Sequence, residues 1–320
     1  MIPLADLMHN VAPGVKRIAR MGDKTKGLVA GHLDALSSTS SSLSSDSRQQ
    51  RRGQNVFAPV LPIPYTAQAE YLEWIADETC DEIAGLAFYD AELVGEMPAT
   101  SSLTGKCRLS MDEASGPLRL LREIGWGVDL CTCPFVGTAT DSGVALAFDF
   151  PASKGSDDGK EEREGGLEPL GLDMWSPTHS TSLLPLSPNC KCYTCTVHHK
   201  AYVQHLLSAK EMLGWVLLQI HNHHIISRFF EGIRTSIQAG RFDEDCKDFE
   251  KRYESELPGG GGMGPRVRGY HFKTEGPGEV RRNRPAWGNL GGEERKEEDG
   301  LVPDEGGEGL EAKGFAEVTG

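Results

Sequence analysis

No apolar run in the 320-residue sequence approaches the ~20 residues that a bilayer-spanning helix needs, and no basic-then-apolar pattern opens the N-terminus. These absences predict neither a membrane helix nor a secretory signal, so an intracellular protein is expected. Basic residues are also scarce: 33 Lys and Arg stand against 47 Asp and Glu, a formal net charge of −14. Over the whole chain that balance argues against a polyanion partner, because neutralising phosphates needs a basic face. Much of the excess acid, however, sits in residues 157–168 and 293–311, runs that need not border any binding face. The eight cysteines are not evenly spread. In a reducing compartment, clustered cysteines mark metal ligation more often than disulfides.

The apolar residues, 38 % of the chain, gather in residues 55–150 and 183–249, where a core can form. Before them, residues 13–36 predict an amphipathic helix. Ile18, Met21, Leu28, Val29, Leu33 and Leu36 recur at helical spacing, with Lys16, Arg17, Arg20 and Lys24 on other faces. This helix closes a first segment, 1–36, and a Ser-rich, then polar, linker follows at 37–54. From 55 to 150 short apolar runs alternate with helical ones, the pattern of βα units on a parallel sheet. Strands are expected at 56–63, 83–88, 128–131 and 144–150, and helices at 66–78 and 111–124. An acidic insertion occupies 151–182. Residues 183–256 hold a cysteine cluster and two helices, 199–209 and 211–239, the second with Met212, Val216, Ile220, His224 and Ile233 near one stripe. The Gly-, Pro- and charge-rich residues 257–320 predict a disordered tail.

The strongest chemical signal is Cys190-Lys-Cys192-Tyr-Thr-Cys195 followed, after 25 residues, by His221. Three thiolates and an imidazole form the closed tetrahedral set that structural zinc prefers. Three cysteines within six residues can wrap one ion only from a tight loop, and Asn189 after Pro188 suits such a turn. A redox pairing of Cys192 with Cys195 would leave Cys190 over and lacks a preceding βαβ context. Spacing alone leaves the fourth ligand open among His198, His199, His205, His221, His223 and His224.

The stretch PNCKCYTC at 188–195, with AYVQHLLSAKEMLGWVLLQIHNHH at 201–224, resembles the zinc segment of the tRNA-guanine transglycosylase family. That family's pattern is Cys-x-Cys-x2-Cys-x25-His followed by Asn, and the count lands on His221-Asn222. IRTSIQAGRF at 233–242 resembles the helix that follows. The resemblance implies an α/β fold of the (β/α)8 TIM-barrel type, incomplete at its N-terminus, with a zinc-binding subdomain inserted near the C-terminal end. It also implies one structural Zn²⁺ per chain, held by Cys190, Cys192, Cys195 and His221.

The family exchanges guanine at the tRNA wobble position for a deazaguanine base, through attack of a carboxylate on the ribose. Its nucleophile motif resembles Gly127-Val-Asp-Leu-Cys-Thr-Cys133, in which Thr132 stands at the nucleophile position and Asp129 matches an earlier, structural aspartate. Residues 83–89, IAGLAFY, carry one glycine where the family has a pair, and the family's Asp-Ser-Gly-Gly segment has no counterpart. Residues 3–6 and the helix after them resemble a mid-barrel part. No catalytic residue is therefore expected. The resemblance implies a non-catalytic subunit, paired as a heterodimer with a catalytic queuine tRNA-ribosyltransferase subunit, that supports exchange of guanine for queuine in tRNAs with GUN anticodons. It implies a cytoplasmic location with peripheral association at the mitochondrial outer membrane. Two alternatives stay open: an active transglycosylase with Asp129 as nucleophile, and a zinc-dependent RNA-binding module without catalysis. Arg266, Arg268, Arg281, Arg282 and Arg284 of the tail are candidates for phosphate contacts.

Overall fold

Helix α1, Val15–Thr39, forms where the periodicity predicts and buries Met21, Thr25, Val29 and Leu33, four residues apart. Leu28, counted with the inward set, instead faces outward. It lies about 100° around the helix from Val29, on the side away from the sheet. The computed structural model describes residues 1–8, 13–39, 56–98, 101–152, 166–260 and 264. All lie in the first of two units, Met1–Val267; the second, Arg268–Gly320, is outside the described residues. So are nearly all of the Ser-rich linker, residues 153–165 of the acidic insertion, most of the tail and its five arginines.

Strands β1 (Phe57–Val60), β2 (Gly85–Phe88) and β3 (Cys107–Ser110) form a parallel sheet in that order, Phe57 opposite Gly85 and Gly85 opposite Cys107. Helix α2, Ala69–Trp74, continues as a wider turn through Ile75–Thr79 and links β1 to β2. β2 is buried along its whole length, which its continuous apolar run foretells. β3 has no such run, because Arg108 and Ser110 alternate with Cys107 and Leu109, and it was not expected.

The helix expected from 111 begins later, as α3, Pro117–Trp126. Proline is favoured in the first turn of a helix, and Gly127, at φ 99°, ends it. Of the strand expected at 128–131, only Leu130 joins the sheet, bridging Leu109 in parallel. Helix α4, Pro134–Asp141, follows.

The run at 144–150 departs from expectation. Only β4, Val144–Leu146, is extended, and it pairs antiparallel with β5, Gly171–Asp173. Phe148 and Phe150 leave the strand to pack edge-on against Phe229, with ring centroids 5.3 and 5.6 Å away, and near Phe249. The sheets are thus part of an α/β architecture with barrel-type βα order. A closed eight-stranded barrel is not seen among the described residues.

Helices α5 (Tyr193–Val197), α6 (Lys200–Ser208), α7 (Met212–Gln238) and α8 (Phe242–Arg252) complete the unit. α6 and α7 match the two expected helices. They cross closely at Gly214, where an added Cβ would sit 3.1–3.3 Å from Leu206 and Leu207. The stripe at Met212, Val216 and Ile220 faces solvent, 52 %, 46 % and 39 % exposed, while Trp215, Leu218, Ile225, Phe229 and Ile233 form the buried side. Both sides of α7 are apolar at these turns, so periodicity alone does not say which one faces inward.

Candidate metal centre

Asn189 adopts a left-handed φ of 60°, the conformation its short polar side chain tolerates. The Cys190 amide then donates to Ser187 O at 3.3 Å, closing the turn. Cys192 caps α5, its Sγ accepting the Cys195 N–H at 3.3 Å. Thr194 donates to Leu217 O at 2.7 Å and ties this short helix to α7. Three sulfurs thereby converge on His221, whose Nδ1 lies 3.7 Å from Cys190 Sγ, 3.5 Å from Cys192 Sγ and 3.4 Å from Cys195 Sγ. All four ligand atoms lie within 4.8 Å of one another.

One ring nitrogen carries at most one proton and cannot hydrogen-bond three thiols at once. An ion with Zn–S of ~2.3 Å and Zn–N of ~2.0 Å in tetrahedral geometry would set sulfur and nitrogen ~3.5 Å apart. The three distances bracket that value, so the donor set fits such an ion.

His221 is fully buried, and its Nε2–H donates to Leu146 O at 2.9 Å, which turns Nδ1 toward the sulfurs. Asn222, also buried, grips the same strand: its Oδ1 accepts the Leu146 N–H at 2.9 Å, and its Nδ2 donates to Val144 O at 3.0 Å and Thr140 Oγ1 at 2.9 Å. The site therefore joins the cysteine loop, α7, β4 and α4. Burial disfavours the charged His221 ring, yet the three sulfurs outweigh it and would hold an imidazolium up to about 11. A metal ion held at Nδ1 would take the place of that proton. Burial likewise opposes the Cys192 thiolate, but His221, the Cys195 amide and Cys190 bring it down to about 6. For Cys190 burial prevails and its thiol stays raised.

The other histidines stay outside the cluster. His199 caps α6, its Nδ1 accepting the Tyr202 N–H at 3.1 Å, and His198 stacks on Tyr202 with centroids 4.8 Å apart. His205 and His223 are exposed, and His224 is not part of the four-ligand group.

At the end of β3, Thr132 donates its hydroxyl proton to Asp112 O at 2.9 Å. Asp129 is exposed, and its Oδ2 accepts the Arg108 N–H at 2.8 Å, a bond that closes the sheet after β3. Arg119 gathers Asp112 at 2.7 Å, Glu92 at 3.0 Å and Glu123 at 3.5 Å, and lies over the Trp126 ring. Glu123 is fully buried. Desolvation pushes its carboxyl up, more than Ser110 and Arg119 draw it down. Gly85 has no room for a side chain: a Cβ there would meet Cys107 O at 2.1 Å and the Phe57 ring at 2.7 Å.

A family model described as queuine tRNA-ribosyltransferase matches residues 3–255. The chain belongs to that family. It is 37 % identical over 287 residues to queuine tRNA-ribosyltransferase accessory subunit 2 of Schizosaccharomyces pombe, covering 89 % of this chain and 60 % of the relative. The protein of the same name from Ixodes scapularis is 35 % identical over 120 residues, 37 % of this chain and 30 % of the relative. Queuine tRNA-ribosyltransferase of Moorella thermoacetica is 45 % identical over 84 residues, 26 % of this chain and 22 % of its own. The chain thus spans about 60 % of the length of the Schizosaccharomyces pombe relative.

For this member of the queuine tRNA-ribosyltransferase family, the cysteine cluster was marked by its own spacing, and His221 was chosen by the family resemblance. The supporting groups Thr140, Leu146 and Asn222 were not legible beforehand. The His-Asn pair was the one signal pointing to Asn222, and Leu146 contributes only backbone atoms, which leave no trace in residue type.

Proposed function

We propose that the chain is the non-catalytic subunit of a queuine tRNA-ribosyltransferase and supports the exchange of guanine for queuine at the wobble position of tRNA by a catalytic partner. One observation carries this reading. Thr132 stands where the family's motif has its carboxylate nucleophile, and its hydroxyl proton is committed to a backbone carbonyl, leaving neither a carboxylate nor an activated oxygen. Asp129 is engaged with the Arg108 amide, which supports a structural role for it and no catalytic residue in this chain. The names of the accessory-subunit relatives support the same assignment.

In this reading Cys190, Cys192, Cys195 and His221 hold one Zn²⁺. A closed set of four protein ligands supplies structural cross-linking and leaves no position for substrate. The exposed apolar side chains of α5 and α7, among them Tyr193, Met212 and Val216, then serve the heterodimer contact with the catalytic subunit. No described helix is long and apolar enough to cross a membrane. The reading carries a cytoplasmic location with peripheral association at the mitochondrial outer membrane, to be checked by fractionation.

The test is incorporation of labelled guanine into tRNA by the chain alone, by a catalytic subunit alone and by the two together. The proposal expects no exchange by this chain and co-elution of the pair on gel filtration. Exchange by the isolated chain, or failure to form any heterodimer, would overturn it.

A further inference from the structure

The chain as a whole is strongly acidic, yet between Lys16 and Lys26 helix α1 carries Lys16, Arg17, Arg20, Lys24 and Lys26 against one acid, Asp23. Two of the five have partners: Arg17 pairs with Asp6, and Lys26 lies over the Trp74 ring. Lys16, Arg20 and Lys24 are exposed, and among the described residues none of them has an ion-pair partner. Four-residue spacing puts the three on one side of the helix, about 100° around it from the buried Met21, Thr25, Val29 and Leu33. At ~1.5 Å rise per residue their stems span ~12 Å, on a helix fixed to the sheet by its other side.

Folding does not account for this placement. The first turn of α1 holds no acid, and Lys16 sits in that turn, where the macrodipole disfavours a cation. Among the described residues no acidic side chain pairs with any of the three. A polyanion supplies what the fold does not.

We infer that the outward side of α1 binds the phosphate backbone of tRNA through Lys16, Arg20 and Lys24; the identity of the RNA rests on the tRNA-modifying role proposed above. The contact is with phosphates and is not sequence-selective, because three point charges on a helix exterior read no base edge. A membrane surface is the less suited partner. An interfacial helix buries its apolar side in lipid, whereas that side of α1 is already covered by the sheet.

The experiment uses the full zinc-loaded chain and a fluorescein-labelled tRNA transcript with guanosine at the wobble position. Binding is measured from ~50 to ~200 mM salt for the natural sequence, for the triple variant K16Q/R20Q/K24Q, and for a control triple, R122Q/R234Q/K247Q, at exposed basic positions elsewhere. Each lost phosphate contact lowers the slope of log affinity against log salt by roughly 0.7–0.9. The α1 variant should flatten the slope by about 2 and weaken binding at least tenfold at the lowest salt. Its melting temperature should not fall, and the control should bind as the natural sequence does. An unchanged slope and affinity for the α1 variant, or an equal loss in the control, overturns the inference. So does binding to phosphatidylserine vesicles that the α1 substitutions abolish while leaving RNA binding intact. Should the chain fail to pair with a catalytic subunit while the α1 variant still loses RNA, the function proposed above fails and this surface stands.

Discussion

Replacing Asn222 with alanine tests how the metal centre is held. The side chain is fully buried and satisfies the Leu146 N–H and the Val144 carbonyl, and it donates to Thr140 Oγ1. Thr140 keeps its own bond to Val136 O at 2.8 Å, so two backbone groups of β4 are orphaned in the interior. At about 1–3 kcal/mol for each unsatisfied buried group, Asn222→Ala should cost about 2–6 kcal/mol. The loss would reach a metal held there, because Leu146, freed on its amide side, also orients His221 through its carbonyl. Loss of such outer-shell support typically lowers metal affinity ~10–100-fold. Urea unfolding of the zinc-loaded protein reads the first effect, and competition with a chromophoric chelator reads the second. A stability change under ~0.5 kcal/mol together with unaltered zinc affinity would refute the coupling between β4 and the site.

Gly232 packs its Cα against the Phe150 carbonyl, where a Cβ would sit 1.7 Å from the oxygen. Gly232→Ala should destabilise by at least ~1–3 kcal/mol, read by denaturant midpoint, and an unchanged midpoint would contradict the packing. Glu123 has a raised carboxyl pKa because it is buried. Its contribution is intact below the ordinary carboxylate range and is lost as the pH rises toward its folded value. Glu123→Gln should therefore gain stability near neutrality and lose that gain near pH ~4; a pH-independent effect in thermal melts would argue against it. Asp129→Asn removes a carboxylate from an exposed bond to the Arg108 amide. It should cost no more than ~1–2 kcal/mol and leave base exchange by the proposed heterodimer unchanged; abolished exchange would revive Asp129 as nucleophile.

What could be read beforehand follows from what leaves a mark in residue type. β2 announces itself because Gly85–Phe88 is buried on both sides and must be apolar throughout, and α6 and α7 announce themselves by length. β3 is hidden by Arg108, whose guanidinium reaches back to Gly127 O and Thr104 O and so tolerates a polar residue in a sheet. The run at 144–150 misleads because aromatic residues that fill a helical core look like residues of a buried strand. Its antiparallel partner β5 follows a segment too polar to mark. At the metal centre the ligands were legible, since thiolates at this spacing have few other uses. The choice of His221 among six histidines came from resemblance, and the geometry brings that histidine alone to the three sulfurs.

Zinc-edge X-ray absorption on the purified full chain, with metal stoichiometry from the same sample, tests most directly the claim that one closed four-ligand site organises this unit. The account predicts one zinc per chain, with a first shell of three sulfurs at ~2.3 Å and one nitrogen at ~2.0 Å. A metal-free protein, or a shell containing oxygen in place of a sulfur or of the imidazole nitrogen, would contradict it.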